Sequence, residues 1–293
     1  MTDPILVGKV GGLRAAFLTF RSSSLFDVVL VVACACCFVL SFLVGNHYPP
    51  WMNAYNDFVS ALTLLLLATI ALRATGGRLR VPRSAVVVAV LSALPLVQVA
   101  AGQIIFAGDA WVAFLYLFGL ALAIVVGANT FAKRRQGFLA VGCTLWLVAA
   151  LVSCLIILVQ RFVLDVGNIG LFIWDVKPGN APFGNLGQPN QMSTFLVLSL
   201  VGLGFLYESR VVGPATTWAA VALIVPCIAM TQSRAAVLML AGIALVIIFR
   251  NARFKLKTPR WAGIAVLMLW SACYFLLPIA FKILGLHTNA SLA

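Results

Sequence analysis

Long apolar segments, each close to the length of a membrane-crossing helix, follow one another along the 293-residue chain. A span needs roughly 20 mostly apolar residues, and in lipid only helices and closed barrels satisfy their own backbone. With 63% hydrophobic and 9% charged residues, no soluble domain fits between the segments. We therefore predict an all-α, polytopic transmembrane bundle that forms a single domain over residues 1–293. The nine predicted spans are residues 25–44, 58–72, 84–101, 110–128, 138–160, 192–207, 215–230, 235–249 and 261–284.

The lysines and arginines indicate the orientation of these spans. Of the 20 basic residues, 16 fall in alternate loops, which the positive-inside rule assigns to the cytoplasm together with the N-terminus. The net charge of +13 then follows from topology, and its dispersal over short loops argues against a nucleic-acid partner. The basic residues predicted on the outer side are Arg161, Lys177, Arg234 and Lys282.

The seven cysteines all lie within apolar segments, where cysteine packs as a small hydrophobic residue. Cys34, Cys36 and Cys37 are close in sequence but have no nearby histidine or carboxylate that would complete a metal site. We expect neither a disulfide framework nor a bound metal.

The first predicted outer loop, residues 45–57, contains His47 and several aromatic residues. Tyrosine and tryptophan at a membrane boundary are usually interfacial anchors. His47 is one of two histidines in the chain, and two interpretations stay open: a hydrogen-bonded loop residue or a general base.

The segment "NAPFGNLGQPNQMSTFLVL", residues 180–198, leads from the long outer loop into the sixth span. Pro189 suits the first turn of a helix, while Gly184 and Gly187 allow a sharp turn before it. The free N–H groups and the positive dipole end of this helix would face outward, either as an anion site or as a simple helix start rich in amides. The amide residues around this helix start are Asn185, Gln188, Asn190 and Gln191.

A second outward helix start is predicted at "MTQSRAAVL", where Ser233 can cap the helix and Arg234 lies in its first turn. Arg161 ends the fifth span on the same side, and Lys177 adds a further outer cation. Each arginine alone could extend to the interface along its aliphatic stem. Two guanidinium groups beside two helix N-termini instead favour a bound diphosphate or a similar anion.

The order of these motifs resembles that of a known family. "PFGNLGQPNQMSTFLVLSL" followed by "TQSRAAVLML" is similar to the O-antigen ligase and polymerase superfamily. "NHYPPWMNAYNDF" and "ALPLVQVAAGQIIFAGDAWVAFLYLFG" resemble its protein-glycosylation ligase branch, the bacterial O-oligosaccharyltransferases. The resemblance extends from about residue 46 to residue 240.

The resemblance implies a glycosyltransferase of the bacterial inner membrane. It would transfer a glycan from an undecaprenyl-diphosphate carrier to a hydroxyl of a pilin-like protein or of the lipid A core, at the periplasmic face and without a nucleotide or metal cofactor. Arg161 and Arg234 match the family's diphosphate-binding arginines, and Gln188 and Asn190 match its pocket amides. Gln191 and Lys177 complete the predicted donor site.

One feature departs from the family pattern. The family continues with a large periplasmic loop that carries a histidine motif and then with further spans, whereas His287 does not match that motif. We therefore expect the chain to be the N-terminal portion of a ligase with little transfer activity of its own. A lipid-linked glycan flippase and a non-catalytic assembly subunit are the alternatives, and the flippase is weakened by the lack of a charged residue at mid-span.

Overall fold

The computed structural model describes residues 24–45, 53–162, 172–174, 176, 180–249 and 256–283, with the side chains of residues 131–136 left out. These parts of the chain are helices and short connections, without strands, as the sequence predicts. The helices are α1 (Leu25–Leu40), α2 (Ala54–Thr75), α3 (Arg83–Ser92), α4 (Leu94–Ala100), α5 (Ala107–Phe162), α6 (Pro189–Glu208), α7 (Pro214–Met230), α8 (Arg234–Phe249) and α9 (Trp261–Ile283).

The hydropathy of these helices supports a multi-pass membrane protein. Six helical segments within the described chain are long and apolar enough to cross a membrane, and α1, α7 and α8 are shorter apolar helices. The six segments are Ala54–Thr75, Arg83–Ala100, Ala107–Thr130, Gly137–Phe162, Pro189–Glu208 and Trp261–Ile283.

Two connections differ from the sequence prediction. The third predicted span consists of two helices, α3 and α4, because Pro95 lacks an N–H and its ring crowds the preceding turn, so the helix is interrupted at Ala93. The fourth and fifth predicted spans lie in one 56-residue helix, α5, so the loop expected at residues 129–137 is wrong as secondary structure. Alanine, lysine, arginine and glutamine are strong helix formers, and no proline occurs there to stop the helix.

The chain divides into two compact units, which we call the major and the minor unit. Among the described residues the major unit comprises the stretches within 39–57 and 139–283, hence the last part of α5 and all of α6 to α9. Helix α6 packs against α7 and α8, and α9 packs against the same two helices. The largest side chains buried between them are Ile157, Met192, Leu196, Leu203, Leu206, Ile224, Ile228 and Leu240.

One end of the major unit is held together by Glu208, the last residue of α6. The Glu208 carboxylate accepts hydrogen bonds from the backbone N–H groups of Lys257 and Thr258, each at 2.7 Å. The Thr258 hydroxyl donates to it at 2.6 Å. Trp218 of α7 also stacks on Trp261, the first residue of α9, with ring centroids 5.4 Å apart. The C-terminus of α6 is thereby fastened to the start of α9.

The minor unit contains most of α1 and α2, then α3, α4 and the first part of α5. Asp27 and Arg73 form an ion pair at 2.8 Å, which joins α1 to α2. The Asn129 carboxamide bonds to both backbone groups of Arg80, accepting at 2.9 Å and donating at 2.8 Å. These polar contacts fix the connections between its helices.

Candidate functional site

Helix α6 begins as the sequence predicts. Pro189 is its first residue, and Gln188 before it has an extended backbone, with φ −146° and ψ 130°. Gly184 and Gly187 both take positive φ values, 58° and 75°, which side chains strongly disfavour. The chain therefore turns twice within four residues and then enters α6 with its first N–H groups free of helical partners.

Gln160, one residue before Arg161 near the end of α5, holds this turn in place. Its side chain is only 4% exposed. Its Oε1 accepts hydrogen bonds from the N–H groups of Phe183 at 3.2 Å and Gly184 at 2.8 Å. Its Nε2 donates to the carbonyl oxygens of Trp174 at 2.8 Å and Gly184 at 2.7 Å. One carboxamide thus satisfies loop backbone groups that no regular structure pairs.

Asn185 is a second buried amide of the loop and not a ligand-facing one. The residue is 0% exposed. Its Nδ2 donates to the carbonyl oxygens of Leu43 at 2.7 Å and Phe172 at 2.6 Å, and its Oδ1 accepts from the Trp174 N–H at 3.1 Å. The sequence prediction that Asn185 belongs to the amides around an anion site is wrong, because its side chain is engaged by the loop backbone.

The other three predicted amides, Gln188, Asn190 and Gln191, are exposed at the start of α6. Asn190 connects this helix start to the second one, since its Oδ1 accepts a hydrogen bond from the Ser233 hydroxyl at 2.9 Å. Ser233 directly precedes α8. The N-termini of α6 and α8 therefore lie side by side.

Arg161 lies in the last turn of α5 and is only 4% exposed. Its guanidinium carbon is 5.5 Å from the centre of the Phe281 ring of α9, within reach of a cation–π interaction. Its Nε has no hydrogen-bond partner among the residues that the structure describes. A buried guanidinium donor without an acceptor is costly, and an anionic ligand would satisfy it.

Arg234, in contrast, is exposed at the first position of α8. It follows the turn of residues 231–233, in which Gln232 has φ 53° although it is not a glycine. Gln160 ties the end of α5 to the loop before α6, and Ser233 ties α6 to the start of α8. Arg161, the amides of α6 and Arg234 are therefore at the same end of the major unit. The predicted residues Lys177 and His47, and also His287, lie outside the described residues.

A groove of about 390 Å³ adjoins the exposed amides of α6. The rings of Phe42 and Phe195 stack with centroids 4.5 Å apart, and Trp146 stacks on Phe195 at 5.6 Å. The Trp146 Nε1 donates to the Phe195 carbonyl oxygen at 3.3 Å, which fixes the indole. The lining consists of Phe42, Trp146, Leu186, Asn190, Gln191, Thr194, Phe195 and Leu198. The surface of the groove is thus almost entirely apolar, and the amide residues Asn190 and Gln191 border it at the start of α6.

Sequence reasoning missed Gln160 and the partner of Ser233. Gln160 stands at the end of an apolar segment, where a polar residue is ordinarily taken as the boundary of a span. The available signal was its position beside Arg161, since a glutamine at the end of a helix can bond to the loop that follows. Ser233 was predicted to cap α8, whereas the contact to Asn190 joins residues 43 positions apart and has no local signature.

Comparison with known proteins gives two matches. The family model described as protein glycosylation ligase matches residues 182–207, which cover the turn and nearly all of α6. The General O-oligosaccharyltransferase of Acinetobacter baylyi (strain ATCC 33305 / BD413 / ADP1) is 28% identical over 261 residues, covering 86% of this chain and 43% of that protein. The chain thus spans less than half of that relative's length. No solved structure matches it. The resemblance to the protein-glycosylation ligase branch is confirmed.

Proposed function

We propose that this chain binds the diphosphate of an undecaprenyl-linked glycan and serves the transfer of that glycan to a protein hydroxyl at the periplasmic face of the inner membrane. The site consists of Arg161, Arg234, Gln188, Asn190 and Gln191, with Lys177 as a further cation. The name of the Acinetobacter relative, an O-oligosaccharyltransferase, favours a serine or threonine of a pilin-like protein over a lipid A core as acceptor.

The observation that carries this proposal is the buried Arg161, whose Nε has no hydrogen-bond partner within the described part of the chain. Arginine remains charged in proteins, and a buried charge without a counter-charge is unfavourable. The single ion pair among the described residues joins Arg73 to Asp27 in the minor unit, so no described carboxylate pairs with Arg161. A phosphate group would supply the missing charge and accept from two guanidinium nitrogens at once.

The helix N-termini add to this attraction. The first N–H groups of α6 lack helical acceptors, and the positive end of its dipole favours an anion there. The exposed amides Gln188, Asn190 and Gln191 offer further donors around the same position. Arg234 at the start of α8 places a second guanidinium at this end of the unit.

The groove beside these amides suits the other half of the donor. A polyprenyl diphosphate has a charged head and an apolar tail, and the groove combines Asn190 and Gln191 with the ring surfaces of Phe42, Trp146 and Phe195. Because the isoprenyl tail lies in lipid, its contact with these rings would be stabilised by van der Waals packing. A soluble sugar nucleotide has no apolar tail that could pack against these rings.

The residues assigned here act on the leaving group. In the transfer, the acceptor oxygen bonds to the anomeric carbon of the glycan while the bond from that carbon to the diphosphate oxygen breaks. The diphosphate leaves with the bonding electrons, and Arg161 and Arg234 stabilise its growing negative charge. The hydroxyl proton passes to a general base. His47 is the candidate base within this sequence. The resemblance instead implies a histidine in the large periplasmic loop of the family as the base.

Substitution of Arg161 tests the proposal. The chain is reconstituted in lipid nanodiscs, and its Kd for undecaprenyl-diphosphate-linked glycan is measured. We expect Arg161→Ala to raise the Kd at least tenfold, because a charge-assisted bidentate contact is lost. Arg161→Lys should recover only part of the affinity, since an ammonium lacks the planar fork.

Arg260→Ala is the control, because Arg260 is an exposed arginine that directly precedes α9, about 30 Å along that helix from Phe281. Its Kd should equal that of the wild type. An Arg161→Ala variant that binds the donor as tightly as the wild type would remove Arg161 from the diphosphate site.

A further inference from the structure

The hydrogen bond between Ser233 and Asn190 determines which end of the Asn190 carboxamide is available to a ligand. We propose that Ser233 is a positioning residue: by occupying the Oδ1 of Asn190 it leaves the Nδ2 group free to donate to the bound diphosphate. This inference rests on the proposed donor site and assigns to Ser233 a role other than capping α8.

The geometry pins one end of the carboxamide and leaves the other accessible. Ser233 is 5% exposed, and its Oγ lies 2.9 Å from the Asn190 Oδ1. Asn190 itself is exposed, and no described residue bonds to its Nδ2. The backbone oxygen of Asn190 also accepts from the hydroxyls of Ser193 and Thr194, each at 2.9 Å. The residue is therefore fixed at its main chain and at one side-chain atom.

The turn that carries Ser233 is itself tightly held. Thr231, which is 1% exposed, donates its hydroxyl to the Ile228 carbonyl oxygen at 2.7 Å. Gln232 between the two buried hydroxyl residues has φ 53°, a conformation that residues with a side chain rarely adopt. Such a backbone persists only where the surroundings enforce it. Ser233 is thus a fixed anchor for the Asn190 side chain.

The chemistry of a carboxamide explains why this anchor matters. Asparagine presents an acceptor oxygen and a donor NH₂ group of nearly the same shape, so a free side chain can offer either one. A phosphate oxygen accepts hydrogen bonds, and it is repelled by a carboxamide oxygen. In the observed arrangement the Ser233 hydroxyl donates to the Oδ1, which orients the carboxamide with its Nδ2 available before the ligand arrives and lowers the cost of binding.

A double-mutant cycle tests this role. The Kd of undecaprenyl diphosphate is measured for nanodisc-reconstituted wild type, Ser233→Ala, Asn190→Ala and the double variant. We expect Ser233→Ala to weaken binding about fivefold, in line with the loss of one oriented hydrogen bond. Because Ser233 acts through Asn190, the double variant should bind no more weakly than Asn190→Ala alone.

Two further variants separate positioning from general damage. Asn190→Asp retains an acceptor for Ser233 but replaces the donor by a negative charge, so it should bind more weakly than Asn190→Ala. Ser199→Ala is the matched control, because it removes a buried hydroxyl of the same helix that donates to the Phe195 carbonyl oxygen at 2.7 Å and does not contact Asn190. This control should bind as the wild type does, and thermal unfolding of every variant is recorded in parallel.

The outcomes distinguish this inference from the proposed function. Wild-type affinity of Ser233→Ala, or additive losses in the double variant, overturns the positioning role while a loss in Arg161→Ala keeps the donor site. Non-additive losses at Ser233 and Asn190 support the positioning role even if Arg161→Ala binds normally, in which case the arginine assignment fails. No binding of undecaprenyl diphosphate to the wild type overturns both.

Discussion

Buried carboxamides make the side-chain hydrogen bonds that hold the loop before α6. Gln160 and Asn185 satisfy the backbone of the loop before α6 from opposite directions, one from α5 and one from within the loop. The Nε of Arg161, the neighbour of Gln160, has no partner among the residues that the structure describes. Two buried amides with hydrogen-bond partners thus hold the loop before α6, while the adjacent Arg161 has an Nε without a partner among the described residues.

Replacing Gln160 by glutamate should show how much the loop depends on its donors. Gln160→Glu keeps the shape but cannot donate to the carbonyl oxygens of Trp174 and Gly184, and it buries a charge. We expect the free energy of unfolding to fall by about 2 to 4 kcal/mol, measured by denaturant or thermal unfolding in detergent. Gln103→Glu, at an exposed glutamine of the minor unit, is the control and should change stability by less than about 0.5 kcal/mol. Equal stability of the two variants would contradict the conclusion that the Gln160 side chain holds the loop before α6 in place.

At the scale of single residues, the sequence predicted the features that depend on local interactions and missed those that depend on distant ones. Pro189, Gly184 and Gly187 could be assigned from the sequence because their backbone preferences are local. The role of Asn185 could not, since its Nδ2 reaches the carbonyl oxygen of Leu43, 142 positions away. A polar side chain in an apolar chain indicates that a hydrogen-bond partner exists, but the identity of that partner depends on how the helices pack.

At the scale of single elements, helix formation followed hydropathy, and helix ends followed breakers. Prolines occur inside α7 and α9 at Pro226 and Pro278 without ending either helix, whereas Pro95 separates α3 from α4. The sequence could not distinguish these cases, because neighbouring helices can compensate a lost N–H group. The loop predicted between the apolar halves of α5 failed for a related reason: basic residues indicated a boundary, yet they are good helix formers.

A pair of glycine substitutions around α6 tests the turn that begins this helix. Gly184→Ala places a side chain at φ 58°, and its Cβ would lie 2.2 Å from the Met192 Cε, which must move. We expect a loss of about 1 to 3 kcal/mol in unfolding free energy.

Gly204→Ala lies in the interior of α6, where the added Cβ meets nothing within 4 Å. It should stabilise the protein by about 0.5 to 1 kcal/mol, because alanine favours the helix. Thermal unfolding of both variants under the same conditions gives the comparison. A Gly184→Ala variant that is as stable as the wild type, or more stable, would show that the conformation at Gly184 imposes no constraint.

At the scale of the whole molecule, several basic residues are separated between the two ends of the major unit. In the major unit, Arg161 and Arg234 belong to the end where α5 stops and α6 and α8 start, while Lys257 lies at the other end beside Glu208. This separation agrees with the alternation of charges along the sequence. The fold class was predictable because lipid restricts the chain to helices, and the division into two units was not, because hydropathy carries no information on which helices pack together.

Which compartment each end faces is a prediction from the positive-inside rule. With 16 of 20 basic residues in alternate loops, a reporter fused after Lys177 should be active in the periplasm, and one fused after Lys257 in the cytoplasm. Paired reporters that are active on opposite sides of the membrane provide the measurement. The reverse pattern would place the candidate anion site in the cytoplasm and would exclude a periplasmic donor site.

Helix α6 is fastened at both ends, by Ser233 to Asn190 at its start and by Glu208 to residues 257 and 258 at its end. The 19 residues from Asn190 to Glu208 rise about 27 Å along the helix axis, close to the hydrocarbon thickness of roughly 30 Å. A helix held in this way cannot slide to match a thicker or thinner bilayer, and tilt is its remaining adjustment. If the proposed donor site is correct, its height relative to the lipid would depend on membrane thickness, and hydrophobic mismatch would then affect donor binding.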